Sequence, residues 1–430
     1  MKKLTLVPTR SLTAALVALT GAVVCALVIP ACGGGSSAPG QTGTGGTSGT
    51  GGAIGSGGAG TGGDNGSGGA GTGGTIVEPD ASPGDVPPTP DASDAPAEAK
   101  PDAVTNPGLN PMVVQMMRKV ADWQLQSIGG SKDWIHGAFW AGLMATYNAT
   151  KDEKYMTAMK NWAGAGWGLD GGAGARGDSQ CAAQSMFDAY LADPTPANMV
   201  RLMGGKPSFD GLVANTPTGS TEWWWEDALF MVPPGFARLG AATGNKQYFA
   251  TMNTLYWSSY NFLADKASGL VWRDHRGNDR VMWARGNGWV IAGAARVLEY
   301  LPMDDPKRAD FENVIKTMAG ALAKVQNADG LWRSNLSNPG QFPNPETSGS
   351  GFFTFGIAWG VNHGVLDKAT YQPIAQKGWD GLVSHVAANG LLGYVQAVGG
   401  GPGPASATST APYGTGAFLL AGSEIAKLVP

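Results

Sequence analysis

Cysteine and histidine are scarce in this chain, with 3 Cys and 4 His among 430 residues. Cys25 lies in an apolar N-terminal run and Cys32 just beyond it, so Cys181 stands alone in the remainder and no internal disulfide is available. His136, His275, His363 and His385 are widely scattered, and none has the spacing of a helical metal motif. No metal site and no cofactor is therefore expected. Charge is sparse as well: 29 Lys and Arg against 33 Asp and Glu leave a mild net −4. Without a basic run, nucleic acid is a poor partner. Strand-like alternation is also rare, which argues against a sheet-based fold.

The chain opens with features of export. Lys2, Lys3 and Arg10 precede an uncharged apolar run from Leu12 to Ile29. Ile29-Pro30-Ala31-Cys32 resembles a bacterial lipoprotein cleavage box, with a proline at its middle position as a departure. Residues 1–32 are read as a lipoprotein-type signal with Cys32 as the lipidated residue. Ordinary cleavage or an uncleaved anchor would equally leave the rest of the chain outside the inner membrane. From Gly33 to Gly74 nearly every residue is Gly, Ser, Thr or Ala, and from Thr75 to Asn106 Pro, Asp and Ala dominate. Neither stretch can bury enough to offset its ordering entropy, so 33–106 is expected to be a flexible linker that stiffens toward its end. The folded part is expected at 107–430.

Helical periodicity dominates there. Asn110-Pro111 reads as a helix N-cap with Pro at the first position, followed by Met112, Val113, Met116, Met117, Val120 and Trp123 at three- and four-residue steps. Phe139–Tyr147, Pro234–Ala242, Val290–Leu301 and Phe353–Leu366 each run into a turn and a second segment with an aromatic near its start. Roughly twelve helices of about 25 residues with their connections fit the length, with spacing too uneven for a fixed-period solenoid. The expected fold is all-α, an (α/α)6 barrel whose loops at one end form a funnel.

Those loops hold the chemistry-bearing residues. Glu222-Trp223-Trp224-Trp225-Glu226-Asp227 sets acids against three indoles, where a carboxyl is paired, neutralised or on the wall of a cleft. Asp178 precedes a helix near Cys181 and suits an N-cap, a role worth about 1 kcal/mol. Trp134-Ile135-His136-Gly137-Ala138-Phe139-Trp140 precedes another helix, and Trp272-Arg273-Asp274-His275 leads to Trp283-Ala284-Arg285-Gly286-Asn287-Gly288-Trp289. The two glycines allow close backbone approach, the guanidinium a planar fork, the indole a stacking face. Arg285 could equally pair an internal acid. Residues alone point to an enzyme on an acidic sugar, and a glycan-binding protein would look alike.

The stretches Asp178–Tyr190, Asp227–Tyr248, Trp283–Pro302, Gln326–Ser350 and Tyr413–Glu424 resemble the unsaturated glucuronyl and rhamnogalacturonyl hydrolases of glycoside hydrolase families 88 and 105, family 105 more closely. Trp283–Trp289 and Pro345-Glu346-Thr347-Ser348-Gly349-Ser350 are the most specific pieces. The resemblance implies a substrate whose non-reducing uronic acid carries a C4=C5 double bond, with unsaturated acidic oligosaccharides as the partner molecules. It implies hydration of that vinyl ether by a single acid/base, in contrast to the paired carboxylates of ordinary glycosidases. By the match Asp227 is the acid/base and Asp178 the second acid. Arg285 contacts substrate, and Trp134 and Trp289 help form the sugar subsite near Trp283. Glu226 is a flanking residue, because neighbours on a helix point about 100° apart. The family's substrate-binding His after a Gly-Leu-aromatic-aromatic stretch is missing: Gly269-Leu270-Val271-Trp272 is followed by Arg273, with His275 two residues later. Either could take the role.

Overall fold

The computed structural model describes residues 108–164, 166–274 and 280–428. The signal and linker assigned to 1–106, Cys32 and His275 lie outside the described residues. In chain order the helices are α1 (Pro111–Leu125), α2 (Trp134–Thr150), α3 (Glu153–Ala163), α4 (Cys181–Ala192), α5 (Pro196–Leu202), α6 (Lys206–Ala214) and the single turns α7 (Gly219–Glu222) and α8 (Ala228–Met231). Then follow α9 (Pro233–Thr243), α10 (Lys246–Leu263), α11 (Ala284–Leu298), α12 (Arg308–Val325), α13 (Thr347–Asn362), α14 (Lys368–Val383) and α15 (Pro412–Leu428). A two-residue hairpin, β1 (Ala264–Asp265) with β2 (Leu270–Val271), interrupts them.

Contacts between helices close a ring in the order α2, α4, α9, α11, α13, α15 and back to α2. Around it lie α1, α3, the α5–α6 pair, α10, α12 and α14, packed on inner neighbours, α6 through Phe209 against Phe236 of α9. This is the (α/α)6 barrel. The roughly twelve helices expected are its two rings, with α5 and α6 sharing one outer place and α7 and α8 as short turns in the connections.

The two rings differ in sequence as their positions require. An outer helix buries one face, as α1 does with Val113, Val114, Met117, Val120 and Ala121. Met112, counted on that face from periodicity, points to solvent and is 74% exposed. An inner helix touches neighbours on every side and buries its whole circumference, polar side chains included. Every residue of α11 from Ala284 to Leu298 is buried, and so is every residue of α13 from Thr347 to Val361. Small residues set the spacing. A Cβ on Gly142 of α2 would run into the backbone of Gly416 on α15, and one on Gly416 would run into Ala138.

All six inner helices begin at one end of the barrel. There Trp134 stacks on Tyr413, and Gly349 packs against the backbone of Ala284 and Arg285. The N-termini are capped by Asp133, which accepts from the His136 N–H at 3.0 Å, and by Glu346, which accepts from Ser348 and Gly349 at 3.0 and 2.7 Å. At the other end a cavity of about 440 Å³ is lined by Asn148, Asp188, Arg238, Arg296, Glu299 and Glu424, among others. Asp188 there accepts from Arg238 Nε at 2.6 Å, Arg296 Nη2 at 3.0 Å and the Tyr300 hydroxyl at 3.0 Å. Cationic side chains at helix C-termini complement the dipoles.

Candidate active site

The mouth is built on two irregular segments lying side by side. Trp225 pairs with Asp274 in an isolated antiparallel bridge, and the Glu226 N–H donates to the Arg273 carbonyl at 3.1 Å. This pins 225–227 beside 273–274. Asp227 then occupies the N-cap position of α8, but its side chain makes no capping bond. Its Oδ1 is buried with no hydrogen-bond partner. Burial pushes the carboxyl up. The positive charges of Arg285 and Arg273 pull it down, the Asp178 carboxylate adds to the rise, and the result is about 6. A carboxylic acid left unpartnered, with its proton held to near-neutral pH, is equipped to donate that proton.

Asp178 is not the helix cap expected from its position. The N-cap of α4 is Gln180, whose side-chain oxygen instead accepts from the Gly177 N–H at 3.0 Å. Asp178 contributes only its backbone carbonyl, to the Cys181 N–H at 3.3 Å. Its carboxyl therefore has no hydrogen-bond partner among the described residues. Burial and then the Asp133 carboxylate raise it above the usual carboxylate range. Gly177 lies under the Trp225 ring: a Cβ there would sit 3.2 Å from it, which brings the Asp178 turn against the tryptophan segment.

Arg285 does not sit on the surface of the mouth. It is 1% exposed, held between the rings of Trp283 and Tyr413 at 4.3 and 4.7 Å from their centroids. Its Nη1 and Nη2 donate to the carbonyls of Gln396 and Ala397 at 2.8 and 3.3 Å. Trp289 is likewise fully buried, among Phe230, Phe352 and the edge of Trp134. Trp283 is buried and donates its indole N–H to Gln396 Oε1 at 2.8 Å. The motif Trp283–Trp289 thus forms the floor of the site. Of the aromatics proposed for the subsite, Trp134 is the one half-exposed, stacked on Tyr413 with centroids 5.0 Å apart. Arg273 is half-buried, ion-paired with Asp274, and places its guanidinium 5.5 Å from the Trp224 ring.

Gln396 is the residue that sequence reasoning missed. Its side chain joins Trp283, Ser334 Oγ at 2.7 Å and the Gly401 carbonyl at 2.8 Å. Its own carbonyl receives Arg285 and the Tyr413 hydroxyl, and its N–H donates to Glu346 at 3.2 Å. A glutamine beside a Gly- and Pro-rich loop carries no local signal of this. Its partners come from five separate stretches of the chain.

An unpartnered raised carboxyl, a second free acid, a half-exposed indole and two guanidiniums form a site suited to proton transfer on an anionic, ring-shaped ligand. Comparison with known proteins agrees with that chemistry. A curated relative, the unsaturated 3S-rhamnoglycuronyl hydrolase of Formosa agariphila, is 35% identical over 350 residues, spanning 75% of this chain and 92% of that protein. A solved glycosyl hydrolase family 88 structure from Bacteroides vulgatus matches with TM-score 0.67 and 28% identity, over 74% of this chain and 99% of that one. A structure described as a polysaccharide lyase matches with TM-score 0.66 and 32% identity, over 73% and 96%. Residues 110–429 match the family described as Glycosyl Hydrolase Family 88. The chain belongs to that family, one of the two that its motifs resemble.

Proposed function

We propose that this glycoside hydrolase removes a 4,5-unsaturated uronic acid from the non-reducing end of oligosaccharides produced by polysaccharide lyases. The observation that carries the reading is the Asp227 carboxyl, unpartnered at Oδ1 and pushed up to about 6. Asp227 gives its proton to C4 of the vinyl ether, and positive charge develops at C5 and the ring oxygen. Water adds at C5 and returns a proton to Asp227. The hemiketal so formed opens and expels the remaining sugar. Asp178, across the mouth, steadies the developing positive charge or holds sugar hydroxyls. Trp134 offers a stacking face, and the charge of Arg285 and Arg273 favours a uronate carboxylate. His275 and Arg273 are both candidates to hold that carboxylate directly.

The test is ultraviolet absorbance of the vinyl ether. Wild-type enzyme with lyase-generated unsaturated disaccharides consumes the band, in the presence of EDTA, and Asp227→Asn does not. An Asp227→Asn enzyme of full activity defeats the assignment. A lyase acting on intact polysaccharide would make the band grow. A protein that only binds glycan would leave it unchanged.

The reading extends to location. Residues 1–32 direct export, Cys32 carries a lipid, and 33–106 hold the enzyme away from the membrane. Labelled fatty acid joins the wild-type chain in this scheme and does not join Cys32→Ala. Equal labelling of the two would reject it.

A further inference from the structure

Glu226 is the one acid of the mouth with no assigned task. It is 0% exposed, and its Oε1 has no hydrogen-bond partner. Its carboxyl rests against the α-carbon of Gly286, where any Cβ would overlap it. Oε2 accepts from the Asn287 amide at 3.3 Å. The same amide donates to the carbonyls of Val271 at 3.0 Å and Trp283 at 3.1 Å, and Asn287 Oδ1 accepts from the Val271 N–H at 2.8 Å. Gly286, one of the two glycines read from sequence as allowing close backbone approach, is therefore approached by a protein carboxyl. Through its backbone Glu226 also ties to Arg273, and it immediately precedes Asp227.

We propose that Glu226 is a positioning residue that works as an uncharged carboxylic acid, a buried wedge locking Asp227 to the start of α11. A full negative charge at this place would need hydrogen bonds that the site does not supply: one oxygen has none and the other a single long one. The groups facing it are Asp227 on its own segment, Arg273 and Asp274 on the paired segment, and Arg285 and Asn287 on α11. Burial first and then the neighbouring Asp227 carboxylate hold its proton well above the usual carboxylate range, while Arg273 and Arg285 act the other way. Two acids this close lose their protons in sequence. Asp227, which reaches the mouth, goes first. Glu226 stays neutral, so it does not offset the positive charge of Arg273 and Arg285.

This inference rests on Asp227 as the acid, and its test separates the two. Glu226→Ala empties the seat on Gly286 and lets Asp227 shift, so kcat falls about 100-fold, the usual cost of a misplacement near 1 Å. Glu226→Gln has the same shape and no charge at any pH. It restores most of the lost kcat, and the alkaline limb of its pH profile coincides with that of wild type. An alkaline limb displaced to lower pH in Glu226→Gln would show that Glu226 carries charge and overturn the proposal. So would a fully active Glu226→Ala. Circular dichroism of each variant distinguishes a misplaced acid from a misfolded barrel, and a Glu226→Ala protein that fails to fold leaves the Gln profile as the deciding measurement. Should Asp227→Asn be active, the assignment of Asp227 fails on its own, whatever the Glu226 variants do.

Discussion

Trp134 stacks on Tyr413 across the seam where the first and last inner helices meet, with ring centroids 5.0 Å apart and planes 28° from parallel. Tyr413 in turn covers one face of the Arg285 guanidinium and bonds through its hydroxyl to the Gln396 carbonyl at 2.5 Å. The stack therefore joins the half-exposed indole to the buried floor. Removing the ring in Trp134→Ala deletes the platform for a sugar and leaves Tyr413 unsupported. KM for an unsaturated disaccharide rises about tenfold, equivalent to about 1.4 kcal/mol, and kcat changes less. Steady-state kinetics read both. A KM unchanged in Trp134→Ala would remove this ring from the subsite.

The Asp227 carboxyl, at about 6 against an ordinary 3.8, sets two opposite pH responses. Activity needs the protonated form, so kcat/KM falls as pH rises through about 6. Stability moves by linkage. Because the folded state holds this proton more tightly than the unfolded chain, folding gains from it below the unfolded value and loses that gain between 3.8 and about 6. Above that range the buried carboxylate costs at most about 3 kcal/mol. Asp227→Asn is thus inactive and more stable than wild type at pH 7, with the difference vanishing below pH 4 or so. Denaturant unfolding at the two pH values checks the sign. A variant less stable at pH 7 would contradict it.

How much of this was legible in the sequence follows from which interactions are local. Asn110 and Pro111 announced the start of α1, because capping acts within one turn: Asn110 Oδ1 accepts from Met112 and Val113 at 3.0 and 3.3 Å. The barrel could be read from the number and length of the helical segments and from their uneven spacing. Asp178 suits a cap because an acid before a helix usually is one, whereas here Gln180 holds the N-cap position and bonds back to Gly177. Arg285 and Trp289 looked like ligand contacts by residue type. Their burial depends on Tyr413, Gln396 and Phe352, which lie more than 60 positions away in the sequence and have no local signature. Glu226 was set aside for pointing away from Asp227 on a helix. The chain is not helical at that point, and the carboxyl turns inward to Gly286.

At the end of the barrel away from the mouth, Asp188 carries two guanidiniums. Burial alone would push its carboxyl up, but Arg238 and then Arg296 hold it below the usual range. Asp188 and Arg238 are 8% and 1% exposed. Asp188→Ala leaves the buried Arg296 without a carboxylate and Arg238 with Glu299 alone, and costs about 3–5 kcal/mol. Being depressed, this carboxyl contributes its stability above the unfolded value of 3.8 and loses it only as pH falls below that. Chemical denaturation at neutral pH gives the loss directly. The site lies at the other ends of the helices, so KM of the variant that remains folded stays at the wild-type value. A cost under 1 kcal/mol would mean that the network is not the clamp described here.

The narrowest contact between inner helices supplies the last prediction. Gly416 on α15 faces the backbone of Ala138 on α2, with a hypothetical Cβ 2.6 Å from the Ala138 carbonyl carbon and 2.8 Å from the Phe139 α-carbon. Neither neighbour is a side chain that can swing aside. Gly416→Ala therefore forces α2 and α15 apart and costs about 1–3 kcal/mol through overpacking, despite the better helix propensity of alanine. The separation acts on the seam that carries Trp134 and Tyr413, so KM rises along with the loss of stability. An alanine at Gly320, on the outer helix α12, meets only the Tyr371 hydroxyl at 3.7 Å and serves as the control. There propensity alone operates, and the substitution is neutral or stabilising by up to about 1 kcal/mol. Parallel thermal melts and kinetics of the two variants make the comparison. Equal behaviour would show that the close approach of α2 and α15 does not set the barrel.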